Sequence, residues 1–333
     1  MDGRLDKLQR LDTQKLAWNS ADHDFPVKRK FFAVAAKVLL LKEQDRLDMG
    51  ISELKRLASM LALAALALVS GGASAVSDAT VFVSIPPQKS FVERIAGDLV
   101  HVEVLVPAGA SPATHEPTGR QMMALSEAGA WFRIGVPFEE AWAPRIEANF
   151  PALPVIDTRV EIELLMMGSK GGRADPHIWL SPRLVLQQAE TIRDGLIEIW
   201  PQHAARFSAG YADFAADLRA LDADLTARFA NLTERRFMIY HPALGYFARD
   251  YGLEQIAIEI HGQQPGPGSL TRIIEEARAA DINVIFVQKE FDESAAEAVA
   301  RAIDGEVISI APLAENALQG IGEMAEALLR TLE

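Results

Sequence analysis

The sequence predicts an α/β fold of two lobes, each with a mainly parallel sheet flanked by helices, joined by one long backbone helix. Three observations carry this reading. From Thr80 onward short apolar runs alternate with helical stretches, the signature of parallel βαβ units. Residues 202–230 then place Phe207, Tyr211, Phe214, Leu218, Leu221, Leu225 and Phe229 at spacings of four and three with no internal proline. After Asn231 the strand–helix alternation restarts. At 1.5 Å per residue the middle stretch is a helix about 43 Å long, suited to a stiff connector; on pattern alone it also fits a long core helix.

In chain order, 81–85 (Val-Phe-Val-Ser-Ile) reads as a strand and 89–96 as a helix; 100–106 is a second strand, closed by Pro107. A helix at 120–128, a strand at 131–134, a helix at 139–148 and a short strand at 155–156 follow. Residues 157–175 are loop-like and run through Gly168-Ser169-Lys170-Gly171-Gly172, and 183–200 resumes a helical period. Beyond the connector the expected strands are 236–240, 255–260, 284–287 and 307–310. The helices between and after them are 243–250, 270–280, 295–303 and 321–329. The lobes are thus expected at 76–201 and 232–333, with the linking helix at 202–231.

The N-terminal part follows different logic. Residues 49–75 read as a cleavable signal peptide: Lys55 and Arg56 precede an apolar run from Leu57 to Val69, and Gly71-Gly72-Ala73-Ser74-Ala75 supplies a small-x-small cleavage site. The run is too short to span a bilayer comfortably. Residues 1–48 are then an upstream extension, read as a start placed too early with Met49 as the true start; the alternative is a real disordered or helical extension. The expected location of the mature protein is the periplasm.

Composition removes several function classes. Cysteine is absent, so disulfides and thiolate metal sites are excluded and a transition metal must be held by nitrogen and oxygen. The net charge of −13 argues against nucleic acid as a partner, because phosphate neutralisation needs a basic face. The loop in Gln263-Gln264-Pro265-Gly266-Pro267-Gly268 lacks the Gly-Lys-Ser/Thr ending of a phosphate loop and its prolines remove N–H donors, so it reads as a turn.

Three histidines stand beside prolines at the edges of predicted elements: His115 in Pro112-Ala113-Thr114-His115-Glu116-Pro117, His177 in Asp175-Pro176-His177-Ile178-Trp179-Leu180, and His241 in Tyr240-His241-Pro242. Singly, each fits an ordinary exposed or hydrogen-bonded histidine. Together they suggest metal, for which neutral imidazole is the commonest protein ligand. Ligands of parallel sheets gather beyond the carboxyl ends of strands. His115, His241, His261, Gln288 and Glu290 all follow predicted strands. His115, His177 and His241 with the carboxylate of Glu290 would make a zinc-type set of donors; His261 and Glu116 are further candidates.

At these residues the chain resembles the solute-binding proteins of zinc and manganese ABC transporters, the ZnuA/TroA-like family. The resemblance covers residues 81–329 and rests on Val104-Leu105-Val106-Pro107-Ala108-Gly109-Ala110-Ser111-Pro112, Glu116-Pro117-Thr118, Arg120-Gln121-Met122, Asp175-Pro176-His177-Ile178-Trp179-Leu180, His241-Pro242-Ala243 and Ile285-Phe286-Val287-Gln288. It implies a periplasmic, monomeric binding protein that captures Zn²⁺, with Mn²⁺ possible, in the cleft between the lobes and delivers it to an ABC permease without catalysis. Two departures stand out. The family usually has histidine where Ala113 stands, with an aromatic residue at His115, and a carboxylate where Ala311 precedes Pro312-Leu313. A histidine- and acid-rich loop common in zinc members is absent from 157–175. The alternatives are a family member binding another solute or a protein partner, and a zinc hydrolase using Glu116 or Glu290 as base, for which no His-Glu-x-x-His motif exists.

Overall fold

The computed structural model describes residues 79–167, 172–259, 265–291 and 293–333. The expected signal peptide and the extension before it, His261 and part of each glycine-rich loop lie outside the described residues. All described residues belong to the compact unit Val76–Glu333.

Two four-stranded parallel sheets organise the chain. The first contains β1 (Thr80–Val83), β2 (His101–Val104), β3 (Ala130–Arg133) and β4 (Val155–Asp157), in the spatial order β2-β1-β3-β4. The second contains β5 (Arg236–Ile239), β6 (Glu254–Ala257), β7 (Val284–Gln288) and β8 (Glu306–Ile310), in the order β6-β5-β7-β8. The two orders correspond strand for strand, and every pairing is parallel. An α-helix follows each strand in the chain, and the parallel neighbours are joined through such helices. In the first half these are α1 (Pro86–Ala96), α2 (Gly119–Ser126), α3 (Pro137–Asn149) and α4 (Pro182–Ile199); in the second, α6 (Gly245–Tyr251), α7 (Pro267–Ala279), α8 (Ser294–Ala302) and α9 (Ala317–Leu332).

Between them runs α5 (Ala204–Phe229), 26 residues long. It begins two residues later than its periodicity suggests because Pro201–His203 forms a turn of 3-10 helix. Its apolar stripe is buried at Phe207, Phe214, Leu218, Leu225 and Phe229. It packs on α1 and α4 from the first half and on α6 and α9 from the second. Gly210 permits the approach to α1, since a Cβ there would lie 2.3 Å from the carbonyl oxygen of Ile95.

One apolar core runs through both halves, from Val81 in β1 to Leu332 in α9, and a second, smaller one lies around β5 and β7. The C-terminal α9 crosses back onto α1 and α5. Trp179 ties the halves again: its indole Nε1 donates to Pro312 O at 2.9 Å. Among the described residues no helix is long and apolar enough to cross a membrane.

Candidate metal centre

A cavity of about 130 Å³ sits where the carboxyl ends of the strands from both sheets converge. The segments after β2, β3, β5, β7 and β8 all contribute to its walls, as do Met167 and residues between Arg173 and Trp179. At its floor His177 and His241 face each other, with Nε2 atoms 3.3 Å apart and ring planes at 69°.

His177 is set by the Asp-Pro-His turn. Its backbone N–H and its ring Nδ1 both reach Asp175 Oδ1, at 3.0 and 2.6 Å. Asp175 is itself anchored: Tyr246 Oη donates to its carbonyl at 2.7 Å, and its N–H donates to Leu165 O at 2.7 Å. Gly245 leaves room for the carboxylate, since a Cβ there would fall 2.9 Å from Asp175 Oδ2. Trp179 packs its ring against that of His177 at 5.0 Å.

His241 stands two residues past the end of β5 and is held from the neighbouring strands. Its Nδ1 lies 2.7 Å from Glu259 Oε2, just beyond β6. Gln288, the last residue of β7, holds its backbone: Gln288 Nε2 donates to His241 O at 2.5 Å and Oε1 accepts from His241 N at 3.3 Å. Phe291 stacks on the ring at 4.9 Å.

These contacts fix the tautomers. An ionised carboxylate only accepts hydrogen bonds, so each imidazole carries its proton on Nδ1 and turns the Nε2 lone pair toward the other ring. Two lone pairs 3.3 Å apart repel unless a cation lies between them. Burial pushes the His177 pKa below its ordinary value despite the opposing pull of Asp175, which favours the neutral, ligating form. The separation also fits zinc: at 2.0–2.1 Å per Zn–N bond, two corners of a tetrahedron are about 3.3 Å apart. A carboxylate behind each histidine is the arrangement that orients metal-binding imidazoles and raises their basicity.

The other predicted donors sit differently. Glu290 lines the same cavity, and burial pushes its carboxyl pKa up. His115 does not line it; Ala113 does. The turn closed by Thr114 N to Ser111 O at 3.3 Å redirects the chain between them. The His115 ring instead packs edge-on against Phe138 at 5.4 Å, with Nε2 buried and without a hydrogen-bond partner. Glu116 is exposed and absent from the cavity wall. Among the described residues no group of three His, Cys, Asp or Glu side chains is arranged to hold an ion. Sequence reasoning placed Gln288 at a strand end but not its clamp on His241, and it missed the supporting roles of Asp175 and Glu259; Asp175 was visible through its spacing of two from His177.

Residues 81–333 match the family model described as ZnuA, zinc-uptake complex component A, periplasmic. The chain belongs to the ZnuA family. A crystal structure of ZnuA superposes with a TM-score of 0.73 at 38% identity, covering 77% of this chain and 99% of that one. A "Putative metal-binding protein" of Chlamydia muridarum is 28% identical over 251 residues, 74% of this chain and 89% of that protein. The "Manganese-binding lipoprotein MntA" of Halalkalibacterium halodurans is 29% identical over 207 residues, 61% of this chain and 68% of that protein. The ZnuA family fold places the paired histidines where the carboxyl ends of both sheets meet.

Proposed function

We propose that this ZnuA-family protein captures one divalent transition-metal ion between His177 and His241, with zinc as the preferred cargo, and hands it to an ABC permease from the periplasmic side. The observation that carries the reading is the pair of Nε2 lone pairs facing each other at 3.3 Å, each backed by a carboxylate. Two neutral nitrogen donors favour zinc over manganese, which prefers oxygen. Glu290, one of two carboxylates in the wall with Glu140, is the one assigned to the ion. His115, turned toward Phe138, has no part in the pair as it stands. The protein acts as a monomer whose role ends with release of the ion.

Calorimetric titration of the metal-stripped protein with Zn²⁺ and Mn²⁺ tests this. The expected result is one-to-one zinc binding, tighter than manganese, that His177→Ala or His241→Ala weakens by about two orders of magnitude or more. Zinc binding of equal strength in both alanine variants would place the ion elsewhere and end the proposal.

A further inference from the structure

The cavity is larger and more apolar than an ion needs. His177 and His241 supply two donors, and zinc in a closed tetrahedral site takes four. Among the described residues no third His, Cys, Asp or Glu side chain completes a set with them. The space beside the pair is about 130 Å³, room for about four water-sized groups at ~30 Å³ each. Its walls include Pro112, Ala113, Val136, Trp179, Phe291 and Leu313. Apolar walls hold ordered water poorly, because each water needs two to four polar partners. They suit an organic body, oriented by a few polar groups.

Those polar groups are present. Arg173 and Glu290 line the same cavity. Arg173 pairs with Glu140, another wall residue, at 3.2 Å, and both side chains are exposed enough to exchange partners. A guanidinium matches a carboxylate. Charge fits as well: a divalent ion with one amino-acid anion and two neutral imidazoles leaves a single positive charge for Glu290 to offset.

We propose that the cargo, on the reading that His177 and His241 hold the ion, is a metal ion already chelated by a small α-amino acid. Its amine nitrogen and one carboxylate oxygen fill the two positions opposite the imidazoles. Its other carboxylate oxygen faces Arg173, and its side chain packs against Val136 and Leu313. No bond is made or broken beyond ligand exchange at the metal.

Zinc titrations at buffered free Zn²⁺, with and without millimolar L-alanine, test the idea, and native mass spectrometry reads the stoichiometry. A co-ligand at about ten times its own Kd raises apparent zinc affinity about tenfold by mass action. The expected result is that rise, together with a protein–zinc–alanine mass. Acetate, which cannot chelate through nitrogen, gives neither. Ala113→Phe, which fills the cavity from its wall, abolishes the alanine effect. Zinc binding that depends on His177 but is indifferent to alanine would overturn the co-ligand, as would an X-ray absorption spectrum of the zinc-loaded protein in alanine with four protein donors. So would an alanine effect that survives Ala113→Phe. Loss of the underlying capture reading looks different: His177→Ala would then bind zinc as the wild type does.

Discussion

Gln288 grips the backbone of His241 on both sides, its Nε2 donating to the carbonyl at 2.5 Å and its Oε1 accepting from the amide N–H at 3.3 Å. Gln288 ends β7 and His241 lies just beyond the adjacent β5, 47 positions apart, so the clamp converts sheet register into ring placement. Gln288→Leu keeps the volume and removes both bonds. Zinc affinity is expected to fall about 10- to 100-fold, the usual range for residues supporting a metal ligand, while circular dichroism shows the fold intact. Unchanged affinity in titration would show that stacking on Phe291 alone positions the ring.

Asp175 and Glu259 fix the tautomers of the two histidines. Asp175→Asn and Glu259→Gln retain shape but can present an N–H in place of an acceptor, which allows the imidazole proton to move to Nε2. Each is expected to weaken zinc about 10- to 100-fold. The double variant should lose less than the product, because both act on one ion. A double-mutant cycle by calorimetry measures that coupling; strict additivity would mean the two histidines bind separately.

His115 buries an unpartnered nitrogen, and burial lowers its pKa. An unfolded imidazole takes up its proton near pH 6.5, whereas the folded one does so only at lower pH. Between those values the unfolded chain binds more protons, so His115 costs stability as pH falls through that window. His115→Phe keeps the edge-on contact with Phe138 and removes the unsatisfied atom. It is expected to gain about 1 kcal/mol at neutral pH, to lose less melting temperature on acidification, and to bind zinc within about twofold of wild type. Thermal melts at neutral and mildly acid pH, with one zinc titration, check all three.

Gly210 interrupts a helix where alanine is normally better by about 1 kcal/mol. Here its missing Cβ admits the Ile95 carbonyl. Gly210→Ala is therefore expected to destabilise, by about 1–3 kcal/mol as in other overpacked sites, with a visible drop in melting temperature. A rise would show that α1 and α5 can separate at no cost.

Most of the fold was legible because apolar runs or periodicity survive in most elements. The errors have physical causes. Helices α1, α3 and α7 begin two or three residues before their periodic patterns, each at a proline in the first turn, where the missing N–H is no loss. The second predicted strand ran on to Val106; Leu105 and Val106 lie past its end at Val104, yet both are fully buried and their N–H groups still donate to Val83 O and Ser84 O. His177 and His241 could be read from local motifs. Glu259 and Gln288 could not, since each meets His241 only through strand pairing. For His115 the proline-flanked loop shows where a histidine lies in the chain and not that its ring turns toward Phe138.

The apolar core that passes without a break from β1 to α9 has a thermodynamic consequence. Neither sheet can melt while the other survives, so heating should give one calorimetric transition whose van't Hoff and measured enthalpies agree. Bound zinc should then raise that single transition temperature for the whole molecule, protecting amides far from the histidines as strongly as those beside them.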